Sequence, residues 1–435
     1  AAPPMGNAKR PPAVPGALEP VESQLIYDWN QVTPRAVPDH AFDLLDETLR
    51  DGLQSASVSD PSLGEKLELL ELMNALGIRV VNVGLPGAGP RALEDVVAMC
   101  RYIQQRKLQI IPCAAARTVA ADIRPVAEAQ QRSGQKLELY TFIGSSPIRQ
   151  WAESWDLGFL LRTSGDAIAL GVKEGLEVAF VTEDTVRSSP SSLDPLFRNA
   201  VDRGASRLVL CDTVGHATPD GARALVRWTR GLLENSGAGR VQIDWHGHND
   251  RGMGVSNSIA AVEAGAQRAH ACGLGVGERV GNTSMDLLVL NLSLMGWFHH
   301  DLSKLVTYAR TVSRALRIPI PVNYPLSGAD AFRTATGVHA AAIIKAKKRG
   351  NDWLADRVYS GVPAGQFGKH QHIEIGHMSG MSNVRYWLEL RGIPAREPLC
   401  KEILRRAKAC GWTLTDEEIL DVVAAHRLAP GRTRL

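Results

Sequence analysis

The sequence lacks a strong excess of either charge. Its 435 residues carry 49 Lys and Arg against 46 Asp and Glu, which gives a formal net charge of +3. No dense Lys/Arg stripe appears, so the sequence predicts no nucleic-acid partner. It also lacks any continuous apolar run of the roughly 18 residues that a membrane-spanning helix needs. We therefore expect no membrane partner either.

Cysteine is scarce and has no regular spacing. The six cysteines are scattered along the chain, and most lie in apolar surroundings that favour a buried free thiol. This pattern gives no disulfide framework and is typical of a protein in a reducing compartment. The sequence therefore predicts a cytoplasmic location.

The first 38 residues lack apolar periodicity. They are rich in Ala and Pro, a composition typical of a flexible or extended arm. The arm has no continuous apolar core, so we do not interpret it as a signal peptide.

From residue 39 onward, short apolar runs alternate with segments of helical spacing. Such alternation predicts parallel strands joined by helices. The number and spacing of the runs favour a (β/α)8 TIM barrel, an α/β fold, over residues 39–300, with a doubly wound open sheet as the alternative. Residues 301–435 form a smaller, mainly helical C-terminal region in this interpretation. The eight predicted strands lie near 44–45, 80–83, 110–113, 137–142, 176–181, 208–211, 241–245 and 269–272.

Two segments at predicted strand ends carry metal-binding residue types. His246 and His248 end the seventh run, and side chains at i and i+2 of a strand share a face. Asp51 follows the first run. In a barrel, the carboxyl ends of all strands meet at one mouth, so these three side chains can converge. Two imidazoles and one carboxylate with open positions make a Lewis-acid site, although a His-x-His pair alone is a weak signal.

Four motifs together resemble a known family, and the similarity covers roughly residues 42–390. They are DETLRDGLQ at 46–54, CDTVG at 211–215, HGHND at 246–250 and GVGERVGNT at 275–283. The chain resembles the metal-dependent barrel superfamily of 2-isopropylmalate synthase, homocitrate synthase and hydroxymethylglutaryl-CoA lyase. The resemblance implies a divalent metal ion (Mg, Mn or Zn) held by Asp51, His246 and His248, with Asn282 able to complete the ligand shell.

Within this superfamily the motifs are more similar to those of the synthases. The resemblance implies an acyltransferase of amino-acid biosynthesis that joins acetyl-CoA to a 2-oxo acid and releases CoA. Leu53 departs from the synthase pattern and is closer to the lyases, so a carbon–carbon lyase is one alternative. A barrel used for binding or assembly without catalysis is the other.

Three residues are the predicted catalytic groups. Arg50 neighbours Asp51 and can stabilise an enolate oxygen. The alternative is that Arg50 only forms an ion pair at the barrel rim. Glu183 and His339 match synthase segments that carry acid/base residues. Glu183 could instead be a carboxylate at a helix N-terminus, and His339 a packed or surface histidine. In the family, the segment of His339 often reaches a neighbouring subunit's site, which implies a homodimer.

Three further residues are predicted to contact the 2-oxo acid. Thr213 can donate a hydrogen bond to a carboxylate, and the alternative is that a Thr before Val-Gly only ends a strand. Gln54 is a weaker candidate for the same pocket. Asn82 stands where many synthases place a Glu that helps to define the oxo-acid pocket.

Overall fold

The computed structural model describes residues 22–31 and 38–428. Contacts divide the described residues into two compact units, one of residues 38–320 and one of residues 22–31 and 321–428. The domain boundary at residue 300 stays a prediction, and the contact-based division falls 20 residues later, after residue 320. Most of the predicted arm lies outside the described residues.

Eight parallel strands close into a barrel in the order β1 to β8. Strand β1 pairs with β2 on one side and with β8 on the other, from Asp43↔Arg268 to Asp46↔Ala271. This closure confirms the predicted TIM barrel and excludes the open sheet. The strands are β1 Asp43–Asp46, β2 Val80–Asn82, β3 Ile111–Arg117, β4 Glu138–Gly144, β5 Glu177–Glu183, β6 Arg207–Asp212, β7 Gln242–Gly247 and β8 Arg268–Ala271.

The barrel strands are buried because helices cover their outer faces and side chains fill the interior. Strand β6 is buried along its whole length. A strand with both faces buried has a continuous apolar run in its sequence, and such runs predicted the positions of these strands. One interior cluster joins Leu45, Val80, Cys113, Tyr140, Ala179, Val209 and Cys211.

The helices of the barrel unit begin at recognisable caps. Ser62 and Glu65 form a reciprocal capping box at the start of the helix Leu63–Ala75. Proline occupies the first turn of four helices, where its missing N–H costs nothing, and these helices begin at Pro90, Pro147, Pro190 and Pro219. The helices of this unit are α2 Leu63–Ala75, α3 Pro90–Arg106, α4 Ala120–Ser133, α5 Pro147–Glu153, α6 Leu157–Lys173, α7 Pro190–Asp202, α8 Pro219–Asn235, α9 Gly254–Glu263, α10 Met285–Leu294 and α11 Leu305–Leu316.

The second unit is mainly helical, as predicted. Its core joins Val384 and Trp387 to Leu399 and Ile403, which lie on successive helices. A short parallel pair, β9 Arg333–Thr334 and β10 His372–Ile373, accompanies the helices. The helices are α1 Glu22–Leu25, α12 Gly337–Lys348, α13 Asp352–Arg357, α14 Met381–Leu390, α15 Glu397–Ala409 and α16 Asp416–Leu428. In the described parts of both units, no helix has the length and apolar character needed to span a membrane.

Candidate active site

The structure brings Asp51, His246 and His248 together at the carboxyl-terminal mouth of the barrel. The Oδ2 atom of Asp51 lies 3.8 Å from His246 Nε2 and 3.6 Å from His248 Nε2. All three residues are buried, and the two imidazole rings lie 5.3 Å apart between centroids. Their potential ligand atoms all lie within 4.8 Å of one another. The geometry therefore suits one ion, although the ligand role stays a prediction.

Asn282 closes this cluster from the loop after β8. Its Nδ2 donates hydrogen bonds to Asp51 Oδ2 at 2.7 Å and to the carbonyl oxygen of Val276 at 3.0 Å. Its Oδ1 is buried without a hydrogen-bond partner. Gly277 allows this arrangement because it has φ +149° and because a Cβ there would collide with the Asn282 amide. A buried carbonyl oxygen without a donor, beside a carboxylate, fits a cation at this place.

Burial and neighbouring charges keep these groups in the protonation states that bind metals. Burial would raise the pKa of Asp51, but the Arg50 guanidinium, together with the hydrogen bond from Asn282, outweighs burial and holds that pKa below its usual range. Burial lowers the pKa of His246 to about 3 and also lowers that of His248. The site therefore presents one carboxylate and two neutral imidazoles.

Arg50 lies between two buried carboxylates. Its Nη1 donates to Asp51 Oδ1 at 2.7 Å, and its Nε donates to Glu47 Oε2 at 2.8 Å. Its Nη2 lies 2.6 Å from the same Glu47 oxygen. The guanidinium is thus fixed beside the candidate metal ligand, and the Arg50 side chain is 16% exposed.

A cavity of about 120 Å³ adjoins the cluster. Glu183, Thr213 and Gln54 line it together with Arg50 and the two histidines. Burial raises the pKa of Glu183, which stands at the end of β5. The Thr213 hydroxyl accepts a hydrogen bond from the Asp184 amide at 2.8 Å, so its own hydrogen stays available. The remaining wall consists of Glu47, Asp51, Ala115, Tyr140, Phe142, Val181, Val209, Cys211, His270, Glu278 and Arg279.

Asn282, described above, and Asn82 do not line this cavity, and His339 belongs to the other compact unit. Asn82 is buried at the end of β2, where its Oδ1 accepts a hydrogen bond from the Gly84 amide at 3.2 Å. His339 lies on α12 in the second compact unit, exposed, with its ring 4.1 Å from that of Tyr359. Their roles stay predictions.

Sequence reasoning missed a buried polar chain below the candidate ligands. His270 faces Glu47 through Nδ1 at 3.4 Å and Asp244 through Nε2 at 3.0 Å. Burial opposes a charge on His270, but its two carboxylate neighbours outweigh burial and raise its pKa. The strand alternation from Arg268 would have turned His270 inward, and Glu47 lies inside the first motif. Both signals were present, but the partners are far apart in sequence.

Residues 41–312 match the family model described as HMGL-like. The chain belongs to the HMGL-like family. This finding confirms the resemblance carried by the four motifs, all of which lie within the matched residues.

Relatives of this HMGL-like chain include two synthases from Methanopyrus kandleri. One, a probable 2-isopropylmalate synthase, is 30% identical over 371 residues, covering 85% of this chain and 69% of that protein. The other, a homocitrate synthase, is 29% identical over 394 residues, covering 89% and 92%. An HMG-CoA lyase structure from Brucella melitensis has a TM-score of 0.52 at 17% identity, covering 63% of this chain and 98% of that chain. At that identity the structural likeness supports the fold alone.

Proposed function

We propose that this chain is a metal-dependent acyltransferase that condenses acetyl-CoA with a 2-oxo acid in a Claisen-type reaction. Condensation gives a 2-alkylmalyl-CoA thioester, and hydrolysis of this thioester by water gives the 2-alkylmalate-type acid and free CoA. The observation that carries the proposal is the buried cluster of Asp51, His246 and His248 with the Arg50 guanidinium fixed beside it. The synthase names of the two relatives support it.

The metal would be held by Asp51, His246 and His248, with Asn282 as a fourth ligand. Mixed imidazole and oxygen ligands suit Zn and Mn, and Mg is the third candidate. The unpartnered Asn282 Oδ1 supports a cation here. When bound, a divalent ion polarises the ketone of the 2-oxo acid and makes its carbon more electrophilic.

Arg50 would stabilise the negative charge that develops on the thioester oxygen of acetyl-CoA. A guanidinium carries five N–H groups. Three of them face Glu47 or Asp51, which leaves two for a substrate oxygen. A donor that is already fixed costs little reorganisation when the charge develops, and this is the basis of oxyanion stabilisation.

Glu183 and His339 would move the protons. Glu183 lines the cavity, and its raised pKa brings it closer to neutral pH, where a general acid or base works best. Because the Glu183 carboxylate lines the cavity, its oxygens are available to the acetyl methyl group. We retain His339 as the second acid/base group on the ground of its synthase-like segment.

The lining of the cavity favours a 2-oxo acid with an apolar side chain. Part of its wall is apolar and consists of Ala115, Phe142, Val181 and Val209. Two arginines stand in the wall: the remaining N–H groups of Arg50 are assigned to the thioester oxygen, and Arg279 pairs with the Asp250 carboxylate at 2.8 Å. A second substrate carboxylate would find no unpaired arginine there, and burying it without one costs several kcal/mol. We therefore infer a 2-isopropylmalate synthase-like activity, with Thr213 and Gln54 contacting the single carboxylate.

We also propose a homodimer in which His339 serves the site of the neighbouring subunit. The proposal follows from the family resemblance of the segment at 336–345. It is consistent with the exposure of His339 on α12.

The test is thiol release from acetyl-CoA with a panel of 2-oxo acids in the presence of Mn²⁺. We expect 3-methyl-2-oxobutanoate to exceed 2-oxoglutarate by roughly tenfold or more in kcat/KM, since several kcal/mol oppose the second carboxylate. Thiol release that is equal with and without every oxo acid would contradict condensation. Cleavage of a 3-hydroxyacyl-CoA to acetyl-CoA instead would support the lyase alternative that Leu53 suggests.

A further inference from the structure

Two candidate metal clusters share His246. One contains Asp51 and His248, and the other contains Glu47 and His270. In each, the potential ligand atoms lie within 4.8 Å of one another, and all five residues are buried. Proximity alone therefore offers two positions for an ion.

The polar atoms of the second cluster are already occupied by protein groups. Glu47 Oε2 accepts from the Arg50 Nε at 2.8 Å, and the other oxygen of Glu47 faces His270 Nδ1 at 3.4 Å. The remaining nitrogen of His270 faces Asp244 Oδ2 at 3.0 Å. An ion here would have to displace Arg50 or separate His270 from a carboxylate, and it would place more positive charge beside a buried guanidinium.

The first cluster differs because its polar atoms are incompletely used. Asn282 Oδ1 and His248 Nδ1 are both buried without a hydrogen-bond partner. Asp51 Oδ2 has the amide of Asn282 as its near donor, and the two histidine Nε2 atoms lie 3.6 and 3.8 Å away, beyond hydrogen-bond range. This cluster can accept an ion without breaking a close ion pair on that oxygen.

Asp244, which contacts His270 of the second cluster, is itself held by two further buried side chains. Asp244 Oδ1 lies 2.5 Å from the Arg207 Nη1, and the Tyr140 hydroxyl donates to Asp244 Oδ2 at 2.9 Å. The contacts therefore run from Asp244 through His270 and Glu47 to Arg50. Asp244, His270 and Glu47 have almost no exposed surface, so neither solvent nor an alternative partner can readily replace a contact that one of them loses.

We propose that Glu47 and His270 are positioning residues that hold Arg50 in place for the reaction, and that they do not bind the metal. The inference rests on the proposed function. Without the Glu47 carboxylate, Asp51 is the remaining anionic partner of Arg50. The guanidinium would then turn toward Asp51 and move away from the substrate oxygen. A misplacement of about 1 Å at a reacting group can cost roughly 10²-fold in rate.

The test compares Glu47→Gln and His270→Gln with His248→Gln as the ligand variant. Glu263→Gln is the matched control, because Glu263 also pairs with an arginine, Arg223 at 2.8 Å, on the outer helix α9. Mn²⁺ affinity is measured by calorimetry on the metal-free full chain, and kcat and KM by thiol release. Thermal unfolding midpoints check that each variant is folded.

For Glu47→Gln we expect kcat to fall roughly 10- to 100-fold, with KM for the 2-oxo acid and Mn²⁺ affinity within about threefold of wild type. His270→Gln should also lower kcat, by a smaller factor, and should likewise leave KM and Mn²⁺ affinity nearly unchanged. The double variant should lose little more than Glu47→Gln alone, because both act through Arg50. Glu263→Gln should match wild type, and His248→Gln should lose Mn²⁺ binding.

Loss of Mn²⁺ binding in Glu47→Gln or His270→Gln, comparable to that in His248→Gln, would overturn the inference and make these residues ligands. Wild-type turnover in Glu47→Gln would also overturn it. Failure of the proposed function is a separate outcome, since it would appear as wild-type protein that releases no thiol. The Mn²⁺ titration would then still decide whether the second cluster binds metal.

Discussion

Replacing Thr213 by Val should weaken the use of the 2-oxo acid while preserving the shape of the side chain. The Thr213 oxygen accepts from the Asp184 amide at 2.8 Å, which leaves the hydroxyl hydrogen to donate into the cavity. A hydrogen bond to a charged group contributes about 1.5–3 kcal/mol. At about 1.4 kcal/mol per factor of ten, the variant should lose roughly 10- to 150-fold in kcat/KM for the oxo acid.

Thr213→Ser is the matched control because it keeps the hydroxyl and removes only a methyl group. Its kcat/KM should stay within about threefold of wild type. The Val variant also removes the acceptor of the Asp184 amide, which costs about 1 kcal/mol, so assays should run well below both unfolding midpoints. The reasoning fails if the Val and Ser variants have kcat/KM values within threefold of each other at saturating acetyl-CoA.

Three more predictions concern other groups. Glu183→Gln should lower kcat roughly 10²- to 10⁴-fold without changing Mn²⁺ affinity, and retention of a tenth of the turnover would remove Glu183 from the acid/base role. Burial raises the pKa of Asp46 from 3.8 to about 6, so its contribution to stability is complete below pH 3.8 and is lost as pH rises through 6. Asp46→Asn stays neutral, so its free energy of unfolding relative to wild type should rise by about 2.4 kcal/mol from pH 4 to pH 7 in denaturant unfolding; a constant difference would contradict this. Mixing Asp51→Ala with His339→Ala protein should restore activity through heterodimers, and no recovery after verified subunit exchange would refute shared sites.

The sequence was sufficient to locate the barrel strands because parallel strands in a TIM barrel are buried on both faces. The run at 208–211, for example, lies inside β6 Arg207–Asp212. The helix after β1 was harder to describe. In α2, Leu67 and Leu72 are apolar yet only half-buried, whereas Lys66 is buried and pairs with Asp95 at 2.7 Å. Helical spacing gives the direction of a side chain but not what lies opposite it.

The same reasoning explains which site residues could be predicted. His246 and His248 share one strand end, and barrel closure brings Asp51 to them, so local spacing and fold class were enough. Strand alternation indicates that His270 points inward but not what it contacts, because its partners come from β7 and from the segment after β1. The pair Arg268 and Glu138, joined at 2.6 Å, is separated by 130 residues in sequence. The burial of a charged side chain inside a barrel can be explained only when its partner on another strand is known.

The location of the metal is the central claim, and anomalous scattering from crystals grown with Mn²⁺ tests it most directly. We predict one peak per chain about 2.0–2.3 Å from Asp51, His246 and His248. The Glu47 and His270 side chains should keep their contacts with Arg50 and Asp244. A peak bound by Glu47 and His270, or no peak with Mn²⁺ in excess, would contradict the account.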